Sequence, residues 1–291
     1  MLCNLCPRKC NIDRLTKKGF CGEDEKPKVA RAALHFGEEP VISGTRGSGT
    51  VFFSGCSLRC IFCQNHEISS RNFGKEISTD RLAEIFMELE AQGAHNINLV
   101  SPTHFTLQII KALDMVKAKL KIPVVYNTSG YELPETIKML DGYVDIYLTD
   151  FKYKNREISK KYSSAENYYE FAVPSLLEMY RQTGKYVIKN DLMKSGIILR
   201  HLVLPNCRHD SIDIFNTIST LLPPDDILVS LMSQYTPCHN VEKFPEINRR
   251  ITTFEYKTVL EAVDNLGFKG FMQERSSSTL ELTPSFDLTG V

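Results

Sequence analysis

The chain has 291 residues, with 35 basic and 35 acidic side chains, so its formal net charge at pH 7 is zero. Hydrophobic residues make up 42% and charged residues 24% of the sequence, which excludes a disordered chain and predicts a globular protein. The zero net charge removes the bulk electrostatic argument for nucleic-acid binding, and no run approaches the roughly 18 apolar residues of a membrane span. We therefore expect a cytoplasmic protein that binds neither a membrane nor nucleic acid.

Nine cysteines stand out in this composition, and their placement along the chain is uneven. Because the cytoplasm keeps thiols reduced, a disulfide framework is not expected, and ligation of a metal or cluster becomes the leading explanation. Seven of the nine lie in two short clusters, within residues 3–21 and 56–63. Cys207 and Cys238 have no cysteine nearby in the sequence and are expected to be packing or incidental thiols.

The N-terminal cluster supplies four thiols within 19 residues, from Cys3, Cys6, Cys10 and Cys21. Four thiolates on a short segment that is poor in core residues predict a closed metal site, which would also help the segment to fold. Spacing alone does not separate zinc from a second iron–sulfur cluster that relays electrons, although such four-thiolate ribbons commonly hold zinc. We expect residues 1–49 to form this metal-binding segment.

From about residue 50 the chain alternates short apolar runs with amphipathic helical patterns. The predicted strands lie at 51–53, 96–100, 122–126, 144–149, 197–204 and 227–232, and the predicted helices at 77–91, 105–120, 132–140, 167–183, 211–222 and 253–265. Ser78 is the expected N-cap of the first helix, and Thr252 with Glu255 forms a capping-box pattern before the last one. Six strand–helix units predict a parallel sheet, because parallel neighbours need helical crossovers.

Such a sheet is either a barrel or an open, doubly wound sheet. No Gly-x-Gly-x-x-Gly follows a predicted strand and no P-loop is present, so the signatures of the open nucleotide-binding sheet are missing. The glycine-rich residues 44–49 precede the first strand rather than opening a helix, and are interpreted as a turn. In a parallel barrel the active site lies at the carboxyl ends of the strands, which is where polar residues collect in this chain.

The second cysteine cluster directly follows the first predicted strand and contains Cys56, Cys60 and Cys63. A loop this short can hold three corners of one iron–sulfur cube, and the missing fourth thiolate leaves one iron open to a substrate or cosubstrate. The alternative is a zinc ion that is held by the three cysteines and completed by His66.

These residues resemble a known family. The spacing Cys-x3-Cys-x2-Cys, with Phe62 just before the last cysteine, resembles the signature of radical S-adenosylmethionine (SAM) enzymes. The continuation Cys63-Gln64-Asn65 and the six-strand pattern are most similar to the pyruvate formate-lyase activating enzyme branch and its less characterised relatives, over roughly residues 50–270. The resemblance implies an α/β fold built as a partial (β/α)6 TIM-like barrel over residues 50–272, followed by a C-terminal tail at 273–291.

The resemblance also implies the chemistry. A [4Fe-4S] cluster held by Cys56, Cys60 and Cys63 would bind the amino and carboxylate groups of SAM at its open iron. One electron from a reductant such as flavodoxin or ferredoxin would then cleave SAM to methionine and a 5'-deoxyadenosyl radical, which abstracts a hydrogen from the substrate.

Several SAM-binding positions of the family carry over to this sequence. Asp150 and Lys152 match the family's Asp-x-Lys beside the carboxylate and ribose of SAM, and Arg200 matches an arginine near SAM. Asn127 and Thr128 occupy the place of an Asp-Thr pair. Because the acid has become an amide, the cation that it helps to hold is not implied here.

Two further positions depart from the family. Gln234 or Tyr235 replaces a histidine of the sixth strand. The sequence Ser-Pro-Thr-His at 101–104 replaces a Gly-Gly-Glu that receives the SAM amino group, so Ser101, Thr103 or backbone carbonyls are the expected acceptors. His104 is a candidate to approach the substrate, and the alternative is an exposed loop histidine without a role.

Three functions are compatible with this sequence. The first is a radical SAM enzyme of the activating type, which abstracts a hydrogen from a glycine of a protein or peptide; an incomplete barrel leaves a lateral opening that suits such a loop. The second is a radical SAM enzyme that acts on a small molecule or on another macromolecule. The third is a noncatalytic zinc or redox module.

Overall fold

The computed structural model describes residues 2–272 and 283–291. Within this part, one sheet contains strands β1 (Lys28–His35), β2 (Ser48–Phe53), β3 (Lys75–Glu76), β4 (Ile97–Val100), β5 (Val124–Thr128), β6 (Ile146–Asp150), β7 (Val187–Lys189), β8 (Leu192–Leu202), β9 (Leu228–Met232) and β10 (Lys269–Met272). The α-helices are α1 (Pro40–Ser43), α2 (His66–Ser69), α3 (Thr79–Ala91), α4 (Thr106–Val116), α5 (Pro134–Lys138), α6 (Arg156–Ser163), α7 (Tyr168–Thr183), α8 (Arg208–Leu221) and α9 (Thr253–Asn265). No helix of the described residues is long and apolar enough to cross a membrane.

The sheet has the strand order of a partial barrel. Strands β2, β4, β5, β6, β8, β9 and β10 are parallel and follow one another in chain order. Helices connect most of these neighbours, as the crossovers of a parallel sheet require. The predicted α/β partial barrel is therefore confirmed, with four cysteines on the segment that precedes it.

The sheet contains more strands than the six that the sequence predicts. Strand β10 adds a seventh parallel strand beside β9, and β1 pairs antiparallel with both β2 and β3. Strand β1 belongs to the residues that were expected to form a separate N-terminal segment. The division at residue 49 stays a prediction, although the sheet extends across it.

Two helix caps that the sequence predicts are present in the structure. Ser78 caps α3 by accepting a hydrogen bond from the Arg81 amide at 3.0 Å, and Thr252 and Glu255 form the complete capping box of α9. The face of α3 that packs on the sheet is buried and consists of Leu82, Ile85, Phe86 and Leu89. Each such side chain contributes about 1.5–3 kcal/mol when it is fully buried.

A short segment between β1 and β2 closes the barrel at the amino ends of its parallel strands. Residue His35 at the end of β1 pairs with Ser48 at the start of β2, so residues 36–47 lie at the amino ends of the parallel strands. Helix α1 in this segment inserts Ile42 among apolar side chains that point into the barrel: Val125, Ile146, Leu148, Ile198 and Leu228. The interior is consequently closed at this end and accessible from the carboxyl ends of the strands.

The described part of the C-terminal tail lies along the free edge of β1. The Leu288 amide donates to the Ala30 carbonyl at 3.0 Å, and the Ala32 amide donates to the Thr289 carbonyl at 2.8 Å. The ring of Phe286 meets Phe52 of β2 edge-on, with 5.5 Å between ring centroids. The rest of the predicted tail, residues 273–282, lies outside the described residues.

Candidate active site

A cavity of about 660 Å³ opens at the carboxyl ends of the parallel strands. The structure brings to it all the predicted barrel site residues except Thr103, His104 and Tyr235, the alternative to Gln234. Those that line it are Cys56, Cys60, Cys63, Ser101, Asn127, Thr128, Asp150, Lys152, Arg200 and Gln234. The volume lies within the range of about 300–1,000 Å³ that is typical of small-molecule sites.

The three-cysteine loop directly follows β2 and forms one wall of the cavity. A hydrogen bond reaches each sulfur: Cys56 from the Leu58 amide at 3.3 Å, Cys60 from the Ser163 hydroxyl at 2.9 Å, and Cys63 from the Ser69 hydroxyl at 3.3 Å. Hydrogen bonds to ligand sulfurs stabilise thiolates and tune the potential of a cluster. The two serines come from α2 and α6, and no spacing signal in the sequence points to them.

The protonation of the loop cysteines follows from their burial. Burial raises the pKa of Cys60, and it raises the pKa of Cys63 to about 12. Both side chains are therefore neutral thiols in the absence of a metal, and cluster loading must release their protons. In the described residues, no group of three or more His, Cys, Asp or Glu side chains is arranged so that it could hold a metal ion as it stands.

His66, the residue that could complete a zinc site, lies beside this loop. Its ring stacks on the ring of His239, with centroids 4.7 Å apart. Its Nδ1 atom has no hydrogen-bond partner among the described residues. His66 does not line the cavity that the three cysteines share.

Asp150 and Lys152 lie across the cavity, at the end of β6. The Lys152 ammonium donates to the Asp150 carboxylate at 2.5 Å. Burial disfavours the charged lysine, but the negative charge of Asp150 outweighs it, so the pKa of Lys152 is raised. Lys152 is therefore a fixed cation in the wall of the cavity, suited to an anionic group of a ligand.

Tyr168 of α7 joins the loops that follow β5 and β6. Its hydroxyl lies 2.8 Å from the Ser129 carbonyl and 3.2 Å from the Asp150 carbonyl, and the Lys152 amide donates to it at 2.9 Å. Gly130 has φ +77°, and a side chain there would collide with the Asp150 carbonyl. This close approach holds the loops that follow β5 and β6 against each other.

Arg200 lies on the floor of the cavity in an ionic network that the sequence pattern does not predict. Its Nε and Nη2 atoms donate to the two Glu39 oxygens at 2.7 and 2.6 Å, and Nη2 also contacts Glu38. The amide of Asn127 donates to Glu38 at 3.3 Å. Both glutamates come from the segment between β1 and α1, where no periodicity or spacing marks them as site residues.

Thr103 does not reach the cavity, which corrects the expectation that it accepts the SAM amino group. Its hydroxyl donates to the buried carboxylate of Glu132 at 2.6 Å, and the Thr128 hydroxyl donates to the same oxygen. The physical reason is local: residues Thr103–Phe105 form a 3-10 turn that leads into α4. This turn directs the Thr103 side chain toward Glu132, while Ser101 stays at the cavity with φ +58°.

His104 is neither at the cavity nor an exposed loop residue, so both expectations for it are wrong. The side chain is 3% exposed, and its Nε2 donates to the Ser54 carbonyl at 2.6 Å. Burial lowers the pKa of His104 to about 4, so its ring is neutral at pH 7. His104 supports the chain just before the three-cysteine loop.

Three of the N-terminal cysteines, Cys3, Cys6 and Cys10, lie within the loop that the bridge between Leu2 and Asp13 closes, and Cys21 lies beyond it. Cys6 and Cys21 are buried, and burial raises the pKa of Cys6 to about 12. A methyl group added to Gly19 would lie 3.5 Å from the Cys21 sulfur and 3.6 Å from the Cys10 sulfur. The sulfurs of Cys10 and Cys21 therefore both lie beside Gly19, and a methyl group there would make ordinary van der Waals contact with each of them.

This N-terminal segment packs directly against the three-cysteine loop. The Arg8 guanidinium donates from Nε to the Ser57 carbonyl at 2.7 Å and from Nη1 to the Ser164 carbonyl at 2.6 Å. The Cys21 carbonyl would lie 3.0 Å from a side chain added to Gly55, the residue before Cys56. The two cysteine clusters are therefore neighbours in the fold.

Comparison with known proteins identifies the class that this fold and cavity define. Residues 50–188 match the radical SAM superfamily. Over 274 residues the chain is 35% identical to the uncharacterized protein MJ0674 of Methanocaldococcus jannaschii, an alignment that covers 90% of this chain and 74% of that protein. The chain belongs to the radical SAM superfamily, and this membership implies cleavage of SAM with generation of a radical.

Solved structures share the fold at low sequence identity. The crystal structure of methylornithine synthase (PylB) aligns with a TM-score of 0.50 and 15% identity, over 83% of this chain and 67% of that one. The crystal structure of SuiB from Streptococcus suis aligns with a TM-score of 0.50 and 10% identity, over 78% of this chain and 48% of that one. At these identities the similarity concerns the fold alone.

Proposed function

We propose that this protein is an enzyme that holds a [4Fe-4S] cluster on Cys56, Cys60 and Cys63 and binds SAM in the adjoining cavity. When bound, the cluster and SAM supply a 5'-deoxyadenosyl radical through one-electron cleavage of SAM. The observation that supports this most is that three sulfurs, each with its own hydrogen-bond donor, share one cavity with the Asp150–Lys152 pair.

The chain's own residues would position SAM as follows. Lys152 is a partly buried cation that would bind the SAM carboxylate, and Asp150 accepts hydrogen bonds of the kind that ribose hydroxyls donate. Gln234 places a buried Oε1 that has no partner among the described residues, so it is available to a ligand donor. Ser101 remains the expected acceptor for the SAM amino group, since Thr103 is engaged by Glu132.

The proposal also concerns the class of substrate from which the radical abstracts a hydrogen. The resemblance predicts abstraction from a glycine of a protein or peptide, and the lateral opening of a partial barrel is its support. The alternative, a small molecule, is favoured by a specific observation: Thr283 and Pro284 of the tail line the cavity, and Phe286 packs on Phe52. We favour a compact substrate because these tail residues form part of the cavity wall and leave less of it accessible to a protein loop.

Electron paramagnetic resonance separates the two substrate classes. A glycine-activating enzyme leaves a persistent glycyl radical on its protein partner after reaction with SAM. A compact substrate leaves no protein radical, and its consumption matches 5'-deoxyadenosine production. Detection of a glycyl radical on a partner protein would reverse our preference.

We infer that Cys3, Cys6, Cys10 and Cys21 hold a second metal centre, either zinc or an auxiliary iron–sulfur cluster. The supporting observation is that the sulfurs of Cys10 and Cys21, which are 11 positions apart in the sequence, both lie beside Gly19. Metal analysis of the anaerobically reconstituted protein distinguishes the two: about four irons per chain with zinc retained indicates zinc, and about eight indicates a second cluster. A protein that holds neither zinc nor a second cluster at these cysteines would contradict the proposal.

Iron content also tests the proposed first site. Cys60→Ala should remove about four irons per chain, because two remaining thiolates cannot hold the cube. Cys238→Ala is the matched control, since its thiol donates to the Phe62 carbonyl at 3.3 Å and lies beside the same loop without being a predicted ligand. Full iron content in Cys60→Ala, or its loss in Cys238→Ala, would contradict the assignment.

A further inference from the structure

We propose that Arg8 is a positioning residue that raises the reduction potential of the cluster in the three-cysteine loop. It does so by fixing the end of α6, from which the Ser163 hydroxyl reaches the Cys60 sulfur. This inference rests on the proposed function, because it concerns the same cluster. It gives the N-terminal segment a role in the chemistry that does not depend on which metal its four cysteines hold.

The first step is the hydrogen bond from Ser163 to Cys60. Ser163 Oγ lies 2.9 Å from the Cys60 sulfur, and the Tyr153 hydroxyl lies 2.8 Å from the same serine oxygen. A cysteine that ligates iron is a thiolate and can only accept, so Ser163 donates to Cys60 and Tyr153 donates to Ser163. Ser163 and Tyr153 are each 1% exposed, so bulk water does not compete for this hydrogen bond.

A hydrogen bond at this sulfur favours the reduced cluster. Reduction adds one electron, which here comes from dithionite or from the physiological reductant, and part of the added negative charge lies on the sulfurs. A donor therefore stabilises the reduced form more than the oxidised form and raises the potential. The potential consequently depends on whether the Ser163 hydroxyl is held within reach of Cys60.

The second step is the support that Arg8 gives to the end of α6. Its Nη2 donates to the Ser163 carbonyl at 3.2 Å, and its Nη1 donates to the Ser164 carbonyl at 2.6 Å. The last carbonyls of a helix have no partner within the helix, and the guanidinium satisfies two carbonyls at this end. Ser164 has φ +50°, in the left-handed region that disfavours residues other than glycine. Arg8 therefore stabilises a helix end whose own backbone geometry is unfavourable.

The third step is that the same guanidinium reaches the three-cysteine loop. Nε of Arg8 donates to the carbonyl of Ser57, which lies inside the loop, at 2.7 Å. The Phe20 ring lies against the guanidinium, with 4.0 Å between the Arg8 Cζ atom and the ring centroid. One planar group with fixed donor directions thus joins the loop to the helix end that carries Ser163.

Two other roles compete with this one. In the first, the positive charge of Arg8 acts on the cluster directly; in the second, Arg8 holds the N-terminal segment on the barrel without affecting the cluster. Arg8→Lys separates them, because lysine keeps the charge but lacks the planar fork. The Ile61 amide also donates to the Tyr162 carbonyl at 3.0 Å, a link between the loop and α6 that does not involve Arg8. We therefore expect Arg8→Lys to keep its cluster.

The test is a titration of the anaerobically reconstituted protein with dithionite in the absence of SAM, followed by electron paramagnetic resonance of the reduced cluster. We expect Ser163→Ala to make the midpoint potential more negative by about 59 mV, which is a tenfold change in a one-electron equilibrium. Arg8→Lys should change the same equilibrium about threefold in the same direction. The double variant should match Ser163→Ala alone, because Arg8 acts through Ser163.

Two control variants should keep the wild-type potential. Ser159→Ala is the matched control for Ser163→Ala, because Ser159 lies on the same helix, is also 1% exposed and donates to the Arg156 carbonyl at 2.9 Å instead of a sulfur. Lys160→Gln removes an exposed charge from α6, where it pairs with Glu166. Iron content is measured on every variant and should equal that of the wild type.

Several results would overturn the inference. An unchanged potential in Arg8→Lys, even with a lower melting temperature, would show that Arg8 only holds the segment in place. A further shift in the double variant would show that Arg8 does not act through Ser163, and loss of iron from Arg8→Lys would make it a residue of cluster assembly instead.

The Ser163→Ala variant decides the inference independently of the Arg8 variants. An unchanged potential in Ser163→Ala would contradict it, whether or not Arg8→Lys folds. A wild type that holds no iron at the three-cysteine loop would refute the proposed function and this inference together. A wild type that holds the cluster, with the same potential in all variants, would refute this inference alone.

Discussion

The Nη2 atom of Arg200 lies 2.6 Å from a carboxylate oxygen of Glu39, a residue 161 positions earlier in the chain. This contact joins the segment before the first parallel strand to the fifth strand of the barrel. Because Arg200 is 15% exposed and also contacts Glu38, it compensates two buried carboxylates. The arginine that the sequence assigned to SAM therefore also holds the floor of the cavity together.

Removal of Arg200 should destabilise the fold. Arg200→Ala leaves Glu38 and Glu39 buried without their cation, and breaking a buried pair in this way costs about 3–5 kcal/mol. Arg81→Ala removes a partly exposed arginine from α3 and should cost less than about 1 kcal/mol. Denaturant unfolding of both variants measures the free energies, and equal losses would show that the floor network does not stabilise the protein.

Asp150→Ala should weaken SAM binding without loss of iron. The substitution removes a cavity carboxylate and frees Lys152 from its 2.5 Å contact, and we expect SAM affinity to fall about tenfold or more. Asp141→Ala, which breaks an exposed pair with Arg181, should leave SAM binding unchanged. Loss of iron from Asp150→Ala would instead give Asp150 a structural role.

Alanine variants of two glycines with similar backbone angles distinguish the effect of backbone strain from the effect of a close contact between two loops. Gly130 has φ +77° and faces the Asp150 carbonyl, whereas Gly142 has φ +79° and open space around it. Both alanine variants should lose about 1 kcal/mol to backbone strain, but only Gly130→Ala should lose more and also weaken SAM binding. Calorimetric melting and SAM titration of both variants check this, and equal behaviour would contradict the described packing of the two loops.

The buried carboxyl of Glu132 should give the stability a characteristic pH dependence. Burial raises the pKa of Glu132 to about 7, while the unfolded side chain titrates near its ordinary value of about 4.3. Between these values the folded state keeps a proton that the unfolded state has lost, so the free energy of unfolding contributed by Glu132 falls as pH rises.

Glu132→Gln cannot titrate and should lack this fall. Relative to the wild type, its melting temperature should rise between about pH 5 and about pH 8, whereas the exposed control Glu135→Gln should keep a constant difference. A constant offset for Glu132→Gln as well would show that Glu132 does not titrate in this range.

The parts of this structure that depend on local pattern were predictable. The cap at Ser78, the capping box at Thr252 and the strand ends that carry Asp150 and Gln234 all follow from periodicity and from the rule that parallel strands meet at one edge. The cysteine spacing was sufficient to predict the superfamily.

The parts that depend on contacts between distant segments were not predictable. Glu38 reaches the floor only because residues 36–47 cross the amino ends of the strands, and nothing in the pattern of that segment signals the crossing. Thr103 and His104 were misplaced because a single 3-10 turn changes the direction of side chains that follow a strand. Strand β10 is four residues long and contains Gly270, which gives a weak strand signal.

Reductive cleavage of SAM tests the central claim most directly. The protein is reconstituted anaerobically with iron and sulfide, reduced with dithionite and incubated with SAM, and 5'-deoxyadenosine is quantified by chromatography. We expect the wild type and the control Cys238→Ala to form 5'-deoxyadenosine, and Cys60→Ala to form none. A wild type with intact Cys56, Cys60 and Cys63 that forms no 5'-deoxyadenosine, or an active Cys60→Ala variant, would contradict the account.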